Sequence, residues 1–153
     1  MEIYLKDSAA TEDLGRSVGR VCRDGDVICL TGDLGAGKTL FSKGVAQALG
    51  VTAEEVTSPT FAIMNVYTGA LEVRHFDLYR LNRPEELEDI GFSEYAGGDG
   101  VTLIEWAELF ADELPEEYLQ VLITKEGEGR RAVLTANGAR YEEMLDNLEV
   151  KEC

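Results

Sequence analysis

The chain is short of positive charge: 14 Lys and Arg stand against 30 Asp and Glu, for a formal net charge of −16. Neutralising a run of phosphates needs clustered bases, so this shortage argues against a broad nucleic-acid surface. The acidic surface serves solubility, or its field attracts a basic protein partner; the sequence leaves both open. No apolar run approaches the ~18 residues of a membrane span. The opening stretch MEIYLKDSAA has neither the basic start nor the apolar core of a secretory signal, so the cytoplasm is the expected compartment. The three cysteines, Cys22, Cys29 and Cys153, are odd in number and share no metal-ligand spacing. Cys22 and Cys29 have apolar neighbours and read as buried thiols, Cys153 as a frayed end. Repeats, low-complexity segments and linkers are also missing. The 153 residues therefore read as one domain, 1–153, with 44% apolar content. A chain near that length buries about 68–70% of its unfolded surface, enough for a core of its own.

What is present alternates between strand and helix signals. EIYLK (Glu2–Lys6) predicts a strand, and the segment that follows predicts a helix capped near Ser8. Glu12 and Asp13 favour its early turns, and Leu14, Val18, Val21 and Cys22 make its apolar stripe. Gly15 and Gly19 lie one turn apart and allow a close neighbour. VICLTG (Val27–Gly32) is too short for a helix and predicts a strand buried on both faces. KTLFSKGVAQALG predicts a helix ending at Gly50, and VTSPTF (Val56–Phe61) a loop. A hairpin is expected about Thr68-Gly69, a short acidic helix from Pro84, and a buried strand at VTLIEW (Val101–Trp106). AELFADEL predicts a helix, LQVLITK and RRAVLTAN a final hairpin, and ARYEEMLDNLEVKEC a closing amphipathic helix. The order implies a three-layer α/β fold with a largely parallel sheet and antiparallel additions at an edge.

Three glycines crowd the segment Gly32-Asp33-Leu34-Gly35-Ala36-Gly37-Lys38-Thr39, which satisfies G-x-x-x-x-G-K-[ST] at every fixed position. With glycine near ~7% of ordinary composition, a chance match in such a chain is of order one per cent. The segment also lies between a buried strand and a helix, as the phosphate-binding mechanism requires. Its glycines let main-chain amides turn toward phosphate oxygens, and the following helix points its positive end at the same anion. Lys38 is then expected to reach the β- and γ-phosphates and the Thr39 hydroxyl to join Mg²⁺.

Carboxylates for the metal and for hydrolysis are sought at neighbouring strand ends. Glu105 follows an apolar run, like the acid of a Walker B strand; it would otherwise open the next helix. In LEVRHFDLYRL, alternation puts Val73, His75 and Asp77 on one face, which turns polar near Asp77 as at a site. Asp77 could instead cap or form an ion pair. His75 reads as a hydrogen-bonded structural residue more readily than as a base. Trp106 reads as core that stays near the site.

On GDLGAGKT, SPTF, HFDLYRL, PEEL and IEWAE, together with TEDLG near the start, the chain resembles the bacterial TsaE family, formerly YjeE. These motifs follow in order over nearly the whole chain; the family's usual EWP is EWA here. The resemblance implies a P-loop NTPase fold and an ATPase using ATP and Mg²⁺. It also implies two partners, TsaD and TsaB, which place threonylcarbamoyl on adenosine 37 of tRNAs reading ANN codons. Carried over by motif, Gly35, Ala36, Gly37, Lys38 and Thr39 hold the phosphates, while Thr39 and Glu105 hold Mg²⁺. Asp77 matches the acid needed for hydrolysis, Thr60 a group sensing the γ-phosphate or its water, and Trp106 a residue packed by the nucleotide. Thr11 and Arg130 match positions near adenine and ribose.

Three rivals share parts of this pattern. A small nucleoside kinase would bring an arginine-bearing lid, but between Gly91 and Gly100 the chain offers glycines and acids. A GTPase would carry a carboxylate where TKEG ends in Gly127. A nucleotide-gated assembly factor would need binding more than turnover. No arginine is an obvious finger in cis, with Arg74, Arg80 and Arg83 flanking the region unranked. Slow hydrolysis alone, raised by partners, is the expectation.

Overall fold

The structure is a computed structural model that describes residues 1–32, 37–51, 64–78, 81, 83, 85–89, 92 and 98–148. In chain order it contains β1 (Glu2–Leu5), α1 (Ser8–Val21), β2 (Val27–Thr31), α2 (Lys38–Ala48), β3 (Met64–Thr68) and β4 (Glu72–Asp77). These are followed by α3 (Glu85–Asp89), β5 (Val101–Glu105), a 3₁₀ segment η1 (Ala107–Glu113), β6 (Tyr118–Glu126), β7 (Gly129–Asn137) and α4 (Ala139–Asp146). The strands form one seven-stranded sheet in the order β1-β7-β6-β2-β5-β4-β3. The middle four, β6, β2, β5 and β4, run parallel. β3 is antiparallel at one edge, and β7 and β1 extend the other. Antiparallel additions thus flank the parallel core on both sides, where one edge was expected. The final hairpin feeds β6 into the interior beside β2, a long-range pairing that local periodicity does not specify.

Alternation along the buried strands divides the core between the two faces. Ile28, Leu30, Leu103 and Val121 pack with Val18, Phe41, Val45 and Met144 beneath α1, α2 and α4. Val27, Cys29, Phe76 and Ile104 point the other way, against Leu87, Ala107 and Phe110 of α3 and η1. The expected three layers follow. Burial pushes the Cys29 thiol up to about 12, as expected of a buried thiol. Cys22, also expected to be buried, is half-buried at the end of α1, its thiol raised by desolvation and by nearby Asp26.

The α1–α2 crossing is where glycine is required by contact. A Cβ on Gly15 would press on the Phe41 carbonyl, and one on Gly44 on the Glu12 carbonyl. Gly19 faces Val45 and Ala48 in the same way. The spacing of Gly15 and Gly19 therefore reports a true close approach, which brings the start of α1 beside the start of α2. Asp7, not Ser8, caps α1, its carboxylate accepting from the Ala10 amide at 2.8 Å. The expected helix AELFADEL is the 3₁₀ segment η1, broken by non-helical geometry at Phe110 (φ −133°, ψ 47°).

The amino ends of the parallel strands are tied to α4. The Tyr141 hydroxyl accepts from the Val27 amide at 2.8 Å. Arg140 grips buried Asp26 through two nitrogens, at 3.0 and 2.8 Å, and reaches the Val21 carbonyl at 2.8 Å. The other end of the sheet is left to carry the site.

Gly44→Ala should lower unfolding free energy by about 1–3 kcal/mol through overpacking against backbone. Gly127→Asn should cost little, because at its φ of +59° nothing lies within 4 Å and asparagine tolerates that conformation. Urea titration of both variants checks the contrast, and equal losses would contradict it. Burial raises the Tyr141 phenol from 10.0 to about 12. Its contribution is therefore fully present below pH 10 and fades as the pH climbs through the folded value. Tyr141→Phe should cost about 1–3 kcal/mol at neutral pH by stranding the Val27 amide. It should also flatten the alkaline decline of stability, and an unchanged decline would contradict the assignment.

Candidate functional site

β2 ends at Thr31, between two parallel neighbours, and the chain leaves the sheet at Gly32 with φ 137° before α2 begins. Gly37 precedes the first turn of α2 with φ 113°, so both fixed glycines flanking the predicted loop adopt backbone closed to ordinary side chains. Asp33, Leu34 and the predicted phosphate-binding Gly35 and Ala36 lie outside the described residues, as does Thr60.

Register lines the acidic residues up beside that exit. Leu30 pairs with Glu105 across β2 and β5, and Glu105 with Asp77 across β5 and β4. Both predicted carboxylates thus stand in one row at the carboxyl edge of the parallel strands. Glu105 is 3% exposed and Asp77 is half-buried. Val73 and His75 are fully buried below Asp77, which reproduces the expected change from apolar to polar along that face. His75 Nε2 bonds Glu105 Oε2, so the histidine is engaged with the carboxylate and not poised as a base.

Lys38 starts α2 and turns its ammonium back over the same edge. Nζ donates to the Gly32 carbonyl at 2.7 Å and sits 3.4 Å from the centroid of the Trp106 ring. Only 5% of the residue is exposed. Trp106 reaches this position because it takes a left-handed conformation, φ 62°, directly after β5, with its amide donating to the Leu30 carbonyl at 3.1 Å. Burial raises the Glu108 carboxyl above its ordinary range, with Lys38 pulling it the other way. Thr39 follows as the second residue of α2 and is half-buried.

Beside the start of α2 lies a cavity of about 330 Å³, walled by Lys6, Ser8, Thr11, Gly37, Leu40 and Arg130. It brings together Thr11, Gly37 and Arg130, which are far apart in sequence. A Cβ on Gly37 would stand 3.3 Å from the Thr11 methyl. A larger cavity of about 520 Å³ lies between η1 and β6 and meets the rest of the site at Trp106 and Gly32. Two partners escaped sequence reasoning: the Gly32 carbonyl that anchors Lys38, and the His75–Glu105 bond. The period-two placement of His75 below Asp77 was a signal for the second, but the register to Glu105 was not available.

The donors suit a hard divalent cation. Thr39 and Glu105 offer oxygen, and among the described residues no cluster of three His, Cys, Asp or Glu forms a cage. Mg²⁺ typically takes one or two protein oxygens and completes its shell with water and substrate phosphates.

A parallel core, a strand-to-helix turn between positive-φ glycines, and a lysine folded over the strand end define a P-loop fold. The chain belongs to the TsaE family: the family model "Threonylcarbamoyl adenosine biosynthesis protein TsaE" matches residues 5–133. It is 44% identical over 140 residues to the tRNA threonylcarbamoyladenosine biosynthesis protein TsaE of Bacillus subtilis, covering 90% of this chain and 87% of that one. Identity to the TsaE of Treponema pallidum is 42% over 136 residues, covering 89% and 100%. The crystal structure of Bacillus subtilis YdiB superposes with a TM-score of 0.80 at 36% identity, covering 95% of this chain and 91% of that chain. The chain is thus a family member of tRNA threonylcarbamoyladenosine biosynthesis, and no helix of the described residues is long and apolar enough to cross a membrane.

Trp106 is the only tryptophan, so its emission reports the Lys38 contact directly. Lys38→Met should change that emission and leave stability within about 1 kcal/mol, because an apolar side chain of similar length replaces a buried charge. A loss of about 3 kcal/mol or more, with unaltered emission, would mark Lys38 as a structural strut instead.

Proposed function

We propose that the chain is an ATP-binding, slowly hydrolysing P-loop ATPase that supports threonylcarbamoylation of tRNA adenosine 37 by acting on TsaD and TsaB. The observation that carries this reading is the convergence of Lys38, Glu105 and Asp77 at one strand edge, beside the amino end of α2. The amides of Gly35, Ala36 and Gly37 hold the phosphates, helped by the positive end of α2. Lys38 exchanges the Gly32 carbonyl for β- and γ-phosphate oxygens. Thr39 and Glu105 hold Mg²⁺, which neutralises charge on the phosphates when bound. Asp77, less buried than Glu105, orients the attacking water, and Thr60 senses the γ-phosphate. Thr11 and Arg130 border the cavity that receives the adenine and ribose, and Trp106 packs by the nucleotide.

The placement of two of the arginines near the site supports slow turnover. Arg74 is directed to the Asp99 carbonyl and to Glu72, at the amino end of β5 and away from the carboxylates. Exposed Arg83 pairs with Glu86 at 3.7 Å. Arg80 lies outside the described residues. A partner that supplies an arginine would raise the rate, since such a group is worth ~10³–10⁵ in related NTPases. Phosphate release is therefore expected to stay well below ~10 s⁻¹ for the chain alone and to rise when TsaD and TsaB are added. Asp77→Asn should cut the rate by ~10²–10⁴ while nucleotide affinity is kept. Fast turnover in isolation, or an unimpaired Asp77→Asn variant, would overturn the assignment.

A further inference from the structure

We infer that His75 is a positioning residue for the Glu105 carboxylate, fixing which of its oxygens faces the metal side of the site. The inference rests on the proposed reading of Glu105 as a metal group and adds a role for a histidine outside that set. Glu105 is 3% exposed and His75 fully buried, on neighbouring parallel strands. A carboxylate that serves as a metal ligand is ionised and can only accept hydrogen bonds, so in that role Glu105 Oε2 accepts from His75 Nε2. Oε2 is taken by His75, whereas Oε1 accepts no hydrogen bond among the described residues. One oxygen is therefore spent on the histidine and the other is left over at the carboxyl end of β5.

The ring itself is held from behind. Asn65 is its register partner on β3, and the Tyr67 ring lies 6.4 Å away, tilted by 48°. Nδ1 is buried without a hydrogen-bond partner, which rules out a relay continuing through the ring to another described side chain. The histidine thus acts through one bond only. A group placed this way orients a ligand in the manner of outer-shell partners in metal sites, whose loss typically costs about 10–100-fold in metal affinity.

The test measures Mn²⁺ affinity of the chain–ADP complex by electron paramagnetic resonance, and ADP affinity in EDTA, for five proteins. These are the wild type, His75→Leu, His75→Gln, His75→Asn and Glu105→Gln. His75→Leu should weaken Mn²⁺ about 10–100-fold and leave metal-free ADP affinity unchanged. His75→Gln, whose amide nitrogen reaches as far as Nε2, should recover most of the loss, whereas the shorter His75→Asn should not. This Gln–Asn contrast decides the matter even if the leucine variant fails to fold. Wild-type Mn²⁺ affinity in His75→Leu, or equal behaviour of the Gln and Asn variants, overturns the positioning role. If Glu105→Gln itself keeps wild-type Mn²⁺ affinity, the failure lies with the reading of Glu105 as a metal group.

Discussion

Parallel pairing on both flanks of β2 is the constraint from which the site follows. Parallel neighbours cannot be joined by tight hairpins, so each connection must cross over and return, and the carboxyl ends of β2, β5 and β4 collect at one edge. At that edge β2 stops at Thr31, and the chain must turn immediately into α2. The amino end of α2 lies beside that edge, with the Lys38 side chain folded back over it. Glycine at both ends of the turn, each at positive φ, is what lets the backbone take it. The Gly15–Gly44 contact then seats α1 against α2, bringing Thr11 beside Gly37 and completing one wall of the adjoining cavity.

Electrostatics at this edge runs against the charge of the molecule as a whole. A chain of net charge −16 repels polyanions at long range. That repulsion is screened beyond about 8–10 Å at ordinary ionic strength, so only groups at short range could draw in an anion here. The structure concentrates its local positive elements accordingly: the Lys38 ammonium, held by the Gly32 carbonyl and the Trp106 face, and the start of α2. The carboxylates beside them are managed individually. Glu105 is buried and tied to His75, while Asp77, one strand further, keeps partial access to water. Two acids in one row are thereby given different surroundings, a usual basis for different chemical tasks.

The strand and helix that flank the glycine motif, and the placement of Glu105 and Asp77 in one row, were legible because each rests on local pattern: fixed glycine spacing, short apolar runs and period-two alternation. The close α1–α2 crossing was legible for the same reason, from two glycines one turn apart. Sheet order was not, since the pairing of β6 with β2 joins residues about ninety positions apart in register, as in Leu30 with Val121. The kink at Phe110 and the choice of Asp7 over Ser8 as cap depend on single-residue geometry that composition does not fix. His75 was placed on the right face, yet its partner lies thirty residues on. Cavity-lining Lys6 and Leu40 carry no motif, and only folding brings them to Thr11 and Arg130.

The most direct measurement is a calorimetric titration of the chain with ATP in the presence of Mg²⁺, set beside GTP and the Lys38→Met variant. Saturable ATP binding that weakens with GTP and collapses in the variant is the predicted result. No heat of binding with ATP at millimolar concentration, alone or with TsaD and TsaB added, would contradict the assignment of the β2–α2 turn as a triphosphate grip.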